Sequence, residues 1–226
     1  MNRPAKPSLL IATNNPGKIK ELQELLADVD IELVTPAQID LDLDVVEDGK
    51  TYTENASKKA VAFAQASGRI SLADDSGLEV EALGGEPGLY SARYGSAGGQ
   101  KLSDAERRRY LLNQLQSRPR PWKARFHATI AIATPGTYDS AVAIRSRDPF
   151  TATNEHVYLT EGFCEGEIIP EERGSGGFGY DPIFFLPELG KTMAELPMDE
   201  KNRLSHRARA VMKAKSILNT LIDEFL

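Results

Sequence analysis

An α/β fold with a central mixed sheet is what three features of this sequence predict. The opening third alternates short apolar runs with amphipathic helical patterns, the signature of parallel strands joined by helices. The middle third alternates apolar and polar residues with a period of two, as half-buried antiparallel strands do. The chain then returns to one long helical pattern near its end. At 226 residues the chain suits one large domain, 1–226, or two small lobes sharing a cleft, and the residues predict a central mixed sheet with an added antiparallel lobe and a groove between them where a ligand lies. A content of 41% hydrophobic and 27% charged residues excludes a disordered or fibrous chain. The formal net charge of −6 argues against a protein that coats nucleic acid. The one cysteine, Cys164, excludes an internal disulfide framework and a Cys-rich zinc site, and fits a reducing cytoplasm. The first apolar run is too short for a leader or a membrane span, so no membrane partner is expected.

In chain order, residues 8–12 (SLLIA) read as a strand buried on both faces. Asn15 then caps a helix with Pro16 at its first position, running to about Ala27. Residues 31–34 read as a second strand. An acidic loop follows, with Asp42, Asp44, Glu47 and Asp48. Thr53 is the expected cap of a helix over residues 54–65, whose packing face is mostly alanine. Residues 68–73 read as a strand ending at Asp74 and Asp75. Ser103 opens a helix to Leu115, on which Arg107, Arg108 and Arg109 read as a solvated face. WKARFHATIAIA, residues 122–133, alternates as a strand, with Phe126, Ala128, Ile130 and Ile132 inward and with His127 as a satisfied sheet histidine. Residues 141–144 and 157–169 continue as strands, with an irregular loop at 146–155 between them. Residues 183–186 form a buried strand, and residues 195–203 a short helix or turn. Ser205 caps the last helix, with Val211, Leu218, Leu221, Ile222 and Phe225 inward.

Four stretches carry chemistry. Asp74-Asp75-Ser76-Gly77 puts two carboxylates together, and unpaired buried carboxylates are costly. A hard divalent cation arriving with phosphate would account for them; so would a polar turn. Thr13-Asn14-Asn15-Pro16-Gly17-Lys18 combines a helix N-terminus, two amides and an ammonium, a phosphate-binding set that equally describes a well-capped helix. Lys59, on the small-residue helix, reaches a ligand if that helix packs close to the sheet. Residues 174–182 (GSGGFGYDP) offer Phe178, Tyr180 and Asp181 around Gly179, suited to stacking a nucleobase or to packing a glycine-rich hairpin. Ser205-His206-Arg207 opens the last helix. An arginine there opposes the dipole, which an anion or oxo group would offset.

Taken together in this order, these stretches resemble the noncanonical purine nucleoside triphosphate pyrophosphatases, the inosine/xanthosine triphosphate pyrophosphatase family. The likeness rests on residues 13–18, Glu47-Asp48-Gly49 with Thr53-Glu54-Asn55-Ala56, residues 73–78 and residues 88–94 (GLYSARY). It continues through Ala124-Arg125-Phe126-His127, residues 176–184, and Lys201 with Ser205-His206-Arg207. It spans Leu10 to about Ala210. Two departures stand out: Glu47-Asp48-Gly49 replaces the commoner Glu-Thr-Gly, and residues 137–155 carry extra loop.

The resemblance implies an elongated α/β fold of two lobes, with a central mixed sheet, flanking helices and the active cleft between the lobes, in a homodimer that hydrolyses ITP, dITP and XTP to monophosphate and pyrophosphate with Mg²⁺. It implies Asp75 as general base, with Glu47, Asp75 and Asp74 as the metal ligands. It implies Thr13, Asn14, Asn15, Pro16, Gly17, Lys18 and Lys59 on the phosphates, and Ser76 on the substrate. Phe178, Gly179, Tyr180, Asp181, Lys201, His206 and Arg207 would form the base pocket. The rivals are a nucleotide-sensing module without turnover, a nucleic-acid binder, and a house-cleaning pyrophosphatase of another fold.

Overall fold

The structure, a computed structural model, describes residues 7–96, 101–136 and 157–225. The strand expected at 141–144, the loop at 146–155 and the added loop at 137–155 lie outside the described residues. Among the described residues, seven strands form one mixed sheet: β1 (Ser8–Ile11), β2 (Glu32–Val34), β3 (Ile70–Val80), β4 (Trp122–Ala133), β5 (Val157–Ile168), β6 (Phe184–Leu186) and β7 (Lys191–Thr192). Their order is β2-β1-β3-β4-β5-β6-β7. β1 runs parallel to β2 and to β3, whereas β5–β6 and β6–β7 are antiparallel. Parallel neighbours need crossovers. α1 (Pro16–Leu25) supplies one between β1 and β2, and α2 (Tyr52–Ser67) lies between β2 and β3. α3 (Asp104–Leu115), α4 (Met198–Leu204) and α5 (His206–Phe225) complete the helices among the described residues.

Cα proximity gathers the described chain into two compact units. One draws on Met1–Asp75, Ala128–Gly162 and Arg209–Leu226, the other on Ser76–His127 and Phe163–Ala208. In the first unit the core is unusually fine-grained. Ala56, Ala60 and Ala64 of α2 pack with Phe63 against Ala12, Ala73, Ala131 and Ala133 of the sheet. Side chains this small let a helix lie close to a sheet. In the second unit larger groups fill the core: Leu78, Trp122, Phe126, Tyr180, Phe184 and Met193 among them. A fully buried leucine or phenylalanine stabilises by about 1.5–3 kcal/mol relative to exposure.

Most elements fall where the residues place them, and four differences are instructive. β3 does not stop at the acids; it runs through Asp74, Asp75, Ser76 and Gly77 to Val80. Turn propensity in Asp-Asp-Ser-Gly is overridden by a strand held between β1 and β4. Thr51, not Thr53, caps α2, its hydroxyl accepting from the Glu54 amide at 3.1 Å. The alternation of β4 holds only to His127; from Ala128 to Ala133 every residue is buried, as in a strand covered on both faces. Finally, Arg107 and Arg108 are not a solvated face. Arg107 is buried and donates to the Leu102 carbonyl at 2.7 Å, and Arg108 grips Glu172. His127 sits 3.4 Å from a Glu79 carboxylate oxygen and against the Phe163 ring, as a sheet histidine does.

Candidate active site

The first group of functional side chains is assembled by β1, α1, α2 and β3. Asn15 accepts from the amides of Gly17 and Lys18 at 2.9 and 3.1 Å, with Pro16 opening the helix. Thr13 accepts from the Asn15 amide at 3.2 Å, which fixes the turn. Two N–H groups of this helix start are therefore already capped, and its outward reach lies in the Lys18 side chain. The Lys18 ammonium stands 2.6 Å from the Asp74 carboxylate and 3.1 Å from the Asp74 carbonyl. Lys59, buried, reaches the same carbonyl at 3.1 Å and pairs with Glu47. The close packing of α2 is what delivers it. Two ammonium groups thus meet on one backbone oxygen of β3. Asn14 lies apart, lining an open pocket of about 410 Å³ with Ala37, Asp40, Leu41 and Asp42.

Successive strand residues point to opposite faces. Asp74 gives its carboxylate to Lys18, while Asp75 is buried with one oxygen, Oδ2, lacking a hydrogen-bond partner among the described residues. Burial pushes the Asp75 carboxyl above its usual range, and the neighbouring Glu47 charge adds to that. The ammonium groups of Lys18 and Lys59 and a hydrogen bond from Asn55 pull the other way. Asn55 was not singled out for a role by its sequence context. Its Oδ1 accepts from the Gly49 amide at 2.8 Å, and since an amide can only donate there, the Asn55 NH₂ is left to face Asp75. Gly49 has to be glycine: a Cβ there would meet Asn55 Oδ1 at 2.5 Å. Asn55 thereby ties the Glu47 segment to Asp75.

No group of three or more His, Cys, Asp or Glu side chains among the described residues forms a ready-made metal cage. A hard divalent cation that arrives with phosphates needs only one or two protein carboxylates. Glu47 and Asp75 offer oxygen donors alone, and the partnerless Asp75 Oδ2 is the kind of atom such an ion or its water would satisfy. The residues fit that group.

The second set is built by the loop between β5 and β6, by α4 and by the start of α5. Ser205 accepts from the Ala208 amide at 3.2 Å, capping α5. Arg207, fully buried, then donates to Ser76 Oγ at 3.0 Å. His206 stacks on Phe126, with centroids 4.6 Å apart. Lys201 and Asp181 form a buried ion pair at 2.6 Å, and Asp181 also accepts from the Phe178 amide at 2.8 Å. Buried pairs add little net stability, and losing one partner costs about 3–5 kcal/mol. Gly177 has φ of 69°, and a Cβ there would fall 1.9 Å from Asp181 Oδ2, so only glycine lets this carboxylate in. The Phe178 ring centroid lies 5.4 Å from the Lys201 ammonium and 5.6 Å from the Arg207 guanidinium carbon. Tyr180 is not gathered with those cations. Its ring belongs to the core, its hydroxyl donates to the Ser91 carbonyl at 2.9 Å, and burial pushes the phenol well above its ordinary value. Gly179 gives its N–H to Asp104 at 2.7 Å and its carbonyl to Arg108 at 2.8 Å. Asp75 and Ser76 are consecutive, so the chain joins the two sets at one peptide bond.

Comparison with known proteins meets this geometry directly. The profile of the Ham1 family matches residues 9–217. A dITP/XTP pyrophosphatase of Desulforamulus reducens is 44% identical over 214 residues, 94% of this chain and 96% of that protein. A protein of the same name from Bacillus subtilis is 41% identical over 92% of this chain and 96% of its own length. Among solved structures, a HAM1 protein from Coxiella burnetii superposes with a TM-score of 0.77 at 35% identity, covering 95% of this chain and 99% of that one. The Staphylococcus aureus Ham1 protein gives 0.74 at 36%, over 94% and 98%. The order of motifs, the mixed sheet and these likenesses agree, and this chain belongs to the Ham1 family.

Proposed function

We propose that this chain is a nucleoside triphosphate pyrophosphatase of deaminated purines, converting dITP, ITP and XTP to the monophosphate and pyrophosphate with Mg²⁺. The observation that carries this reading is Asp75: a buried carboxylate with one unpartnered oxygen, next to the charges of Lys18 and Lys59. A buried carboxylate raised by desolvation is a better proton acceptor than an ordinary one. Asp75 takes the proton of a water that attacks the α-phosphorus, and the bond from that phosphorus to the bridging oxygen of the leaving pyrophosphate breaks. Lys18 and Lys59 then exchange part of their contact with Asp74 and Glu47 for phosphate oxygens, balancing the charge that develops on the leaving group. Glu47 and Asp75 would hold Mg²⁺, which would supply further positive charge to the phosphates. Asn55 keeps Asp75 oriented, and Asp74 keeps Lys18 in place.

On the base side, Arg207, oriented by Ser76, and Lys201, oriented by Asp181, donate to the 6-oxo group, with His206 beside them and Phe178 as the stacking surface. Adenine presents an amino group and leaves a buried donor unpaired, at a cost of about 1–3 kcal/mol. That corresponds to roughly tenfold to a few hundredfold discrimination per mismatch. Tyr180 and Asp181 act behind this surface, in the core and on the loop backbone.

The curated relatives named dITP/XTP pyrophosphatase support the activity. A homodimer is part of the same reading, and light scattering would test it. The charge of −6 and single cysteine favour free nucleotides in a reducing cytoplasm over nucleic acid. No described helix is long and apolar enough to cross a membrane. The deciding experiment is a panel of nucleoside triphosphates scored for pyrophosphate release with Mg²⁺ and with chelator. Release from ITP, dITP and XTP far above ATP, and lost with chelator, is expected. Equal release from ATP, or nucleotide binding with no release, would overturn the reading.

A further inference from the structure

Helix α3 holds a loop that the proposed chemistry uses but does not explain. Residues 177 and 179 are glycines with φ of 69° and 62°, so the segment carrying Phe178 has little stiffness of its own. Beyond its own turn, in which the Asp181 amide donates to the Phe178 carbonyl at 3.2 Å, it is held from outside. Asp104, in the first turn of α3, accepts the Gly179 N–H through Oδ2 at 2.7 Å, while its other oxygen pairs with Arg107. Arg108, one turn later, donates to the Gly179 carbonyl at 2.8 Å from Nη1. The remaining edge of the same guanidinium meets Glu172 in two bonds of 2.9 and 2.8 Å. Both backbone groups of one glycine are thus held by oppositely charged side chains i and i+4 on a capped helix, and charge-assisted bonds of this kind are the stronger sort. The next residues are pinned too, Phe178 by its amide on Asp181 and Tyr180 by its hydroxyl on Ser91.

We propose that Asp104 and Arg108 are positioning residues for base recognition. By clamping Gly179 they fix the Phe178 ring beside Lys201 and Arg207, so that α3 sets affinity for the purine and leaves the chemistry at phosphate alone. The inference rests on the nucleotide reading above.

Three measurements test it on the full chain, with Arg108→Ala, Asp104→Ala, Arg108→Lys and Glu172→Gln. In Arg108→Ala, the KM for ITP should rise about tenfold, the size of one lost charge-assisted bond, with kcat held within about twofold. Inhibition by inorganic triphosphate, which has no base, should keep its wild-type strength. Arg108→Lys, which can still reach the Gly179 carbonyl, should recover part of the KM, and Glu172→Gln should leave it near wild type. Exchange of the Gly179 amide, followed by NMR, should accelerate in Asp104→Ala. An unchanged KM in Arg108→Ala, equal weakening of ITP and inorganic triphosphate, or an unchanged Gly179 exchange rate would each overturn the proposal. If the wild-type protein releases no pyrophosphate from ITP, the nucleotide reading fails before any variant is made, and the exchange rate alone still decides whether the clamp exists.

Discussion

Around Asp75, charged side chains hold one another: Lys18 on Asp74, Lys59 on Glu47, both on the Asp74 carbonyl. Around Phe178, charged side chains pair as well, Lys201 with Asp181 and Arg108 with Glu172, but here they also hold the loop backbone: Asp181 on an amide, Asp104 and Arg108 on the two groups of Gly179. The difference matters for what each region can do. Ion pairs between side chains can be traded for phosphate oxygens or a cation without moving the chain. A loop pinned through its backbone cannot be traded, and keeps its shape whether or not a base is present. The first arrangement suits charge that changes during a reaction; the second suits a flat surface that must already be in place. Variants can separate the two.

The largest effect is expected at Asp75. Asp75→Asn should lower turnover at least ~10²-fold, the lower range for loss of an acid–base group. It should not lower Tm at neutral pH. Because the folded pKa is raised, the ionised carboxylate costs stability above that value, and the cost disappears below the unfolded value near 3.8. A neutral isostere escapes it. Near-normal turnover in the folded variant would remove Asp75 from the reaction.

Next comes Arg207, whose burial ties recognition to packing. Arg207→Ala should narrow the ratio of kcat/KM for ITP over ATP by about tenfold or more, with Mg²⁺ dependence kept. It should also lower Tm, since Ser76 loses its donor and a large buried side chain is deleted. A wild-type ITP/ATP ratio would show that another residue reads the base.

Asn55 probes the seam within the first region. Asn55→Asp keeps an acceptor for the Gly49 amide but replaces the donor facing Asp75 with a like charge; Asn55→Ala removes both. Turnover should fall about tenfold in the alanine variant and further in the aspartate variant. The reverse order, measured as kcat under saturating substrate, would mean that Asn55 matters only for holding the Gly49 turn.

How much of this was legible depends on how local each cause is. The cap of α1 lies within three residues of Asn15 and was readable, as was the first half of β4 from its alternation up to His127. The alanine face of α2 pointed to close packing on the sheet, and that packing buries Lys59. Other causes were not local. Asp-Asp-Ser-Gly is turn chemistry taken alone, and only its place between β1 and β4 makes it strand. Thr51 and Thr53 both precede Glu54, and the sequence does not say which hydroxyl its amide finds. Arg108 looked solvated because its partners lie 64 and 71 residues away. Tyr180 looked like a partner for Phe178 because alternation with glycine says nothing about which ring the core takes.

The smallest effect isolates the outer edge of the clamp. The hydrogen bond from Arg108 holds the Glu172 carboxyl below its ordinary range, with desolvation opposing and the Arg108 and Arg109 charges assisting. A depressed carboxyl contributes stability above its unfolded pKa, here near 4.5, and loses it as pH falls through the folded value. Glu172 is 45% exposed, so water screens the pair and the contribution is small. Glu172→Gln should therefore lower Tm at pH 7 by no more than about 2 °C for a chain of this size. The gap to wild type should close as the pH is taken well below 4.5, because the wild-type carboxylate is then protonated too. The KM for ITP should hardly move, since Arg108 keeps its bond to the Gly179 carbonyl. A Tm gap of equal size at both ends of the pH range would mean that packing, not the ion pair, links Glu172 to α3. A large rise in KM would mean that Glu172, rather than α3 alone, holds the guanidinium on Gly179.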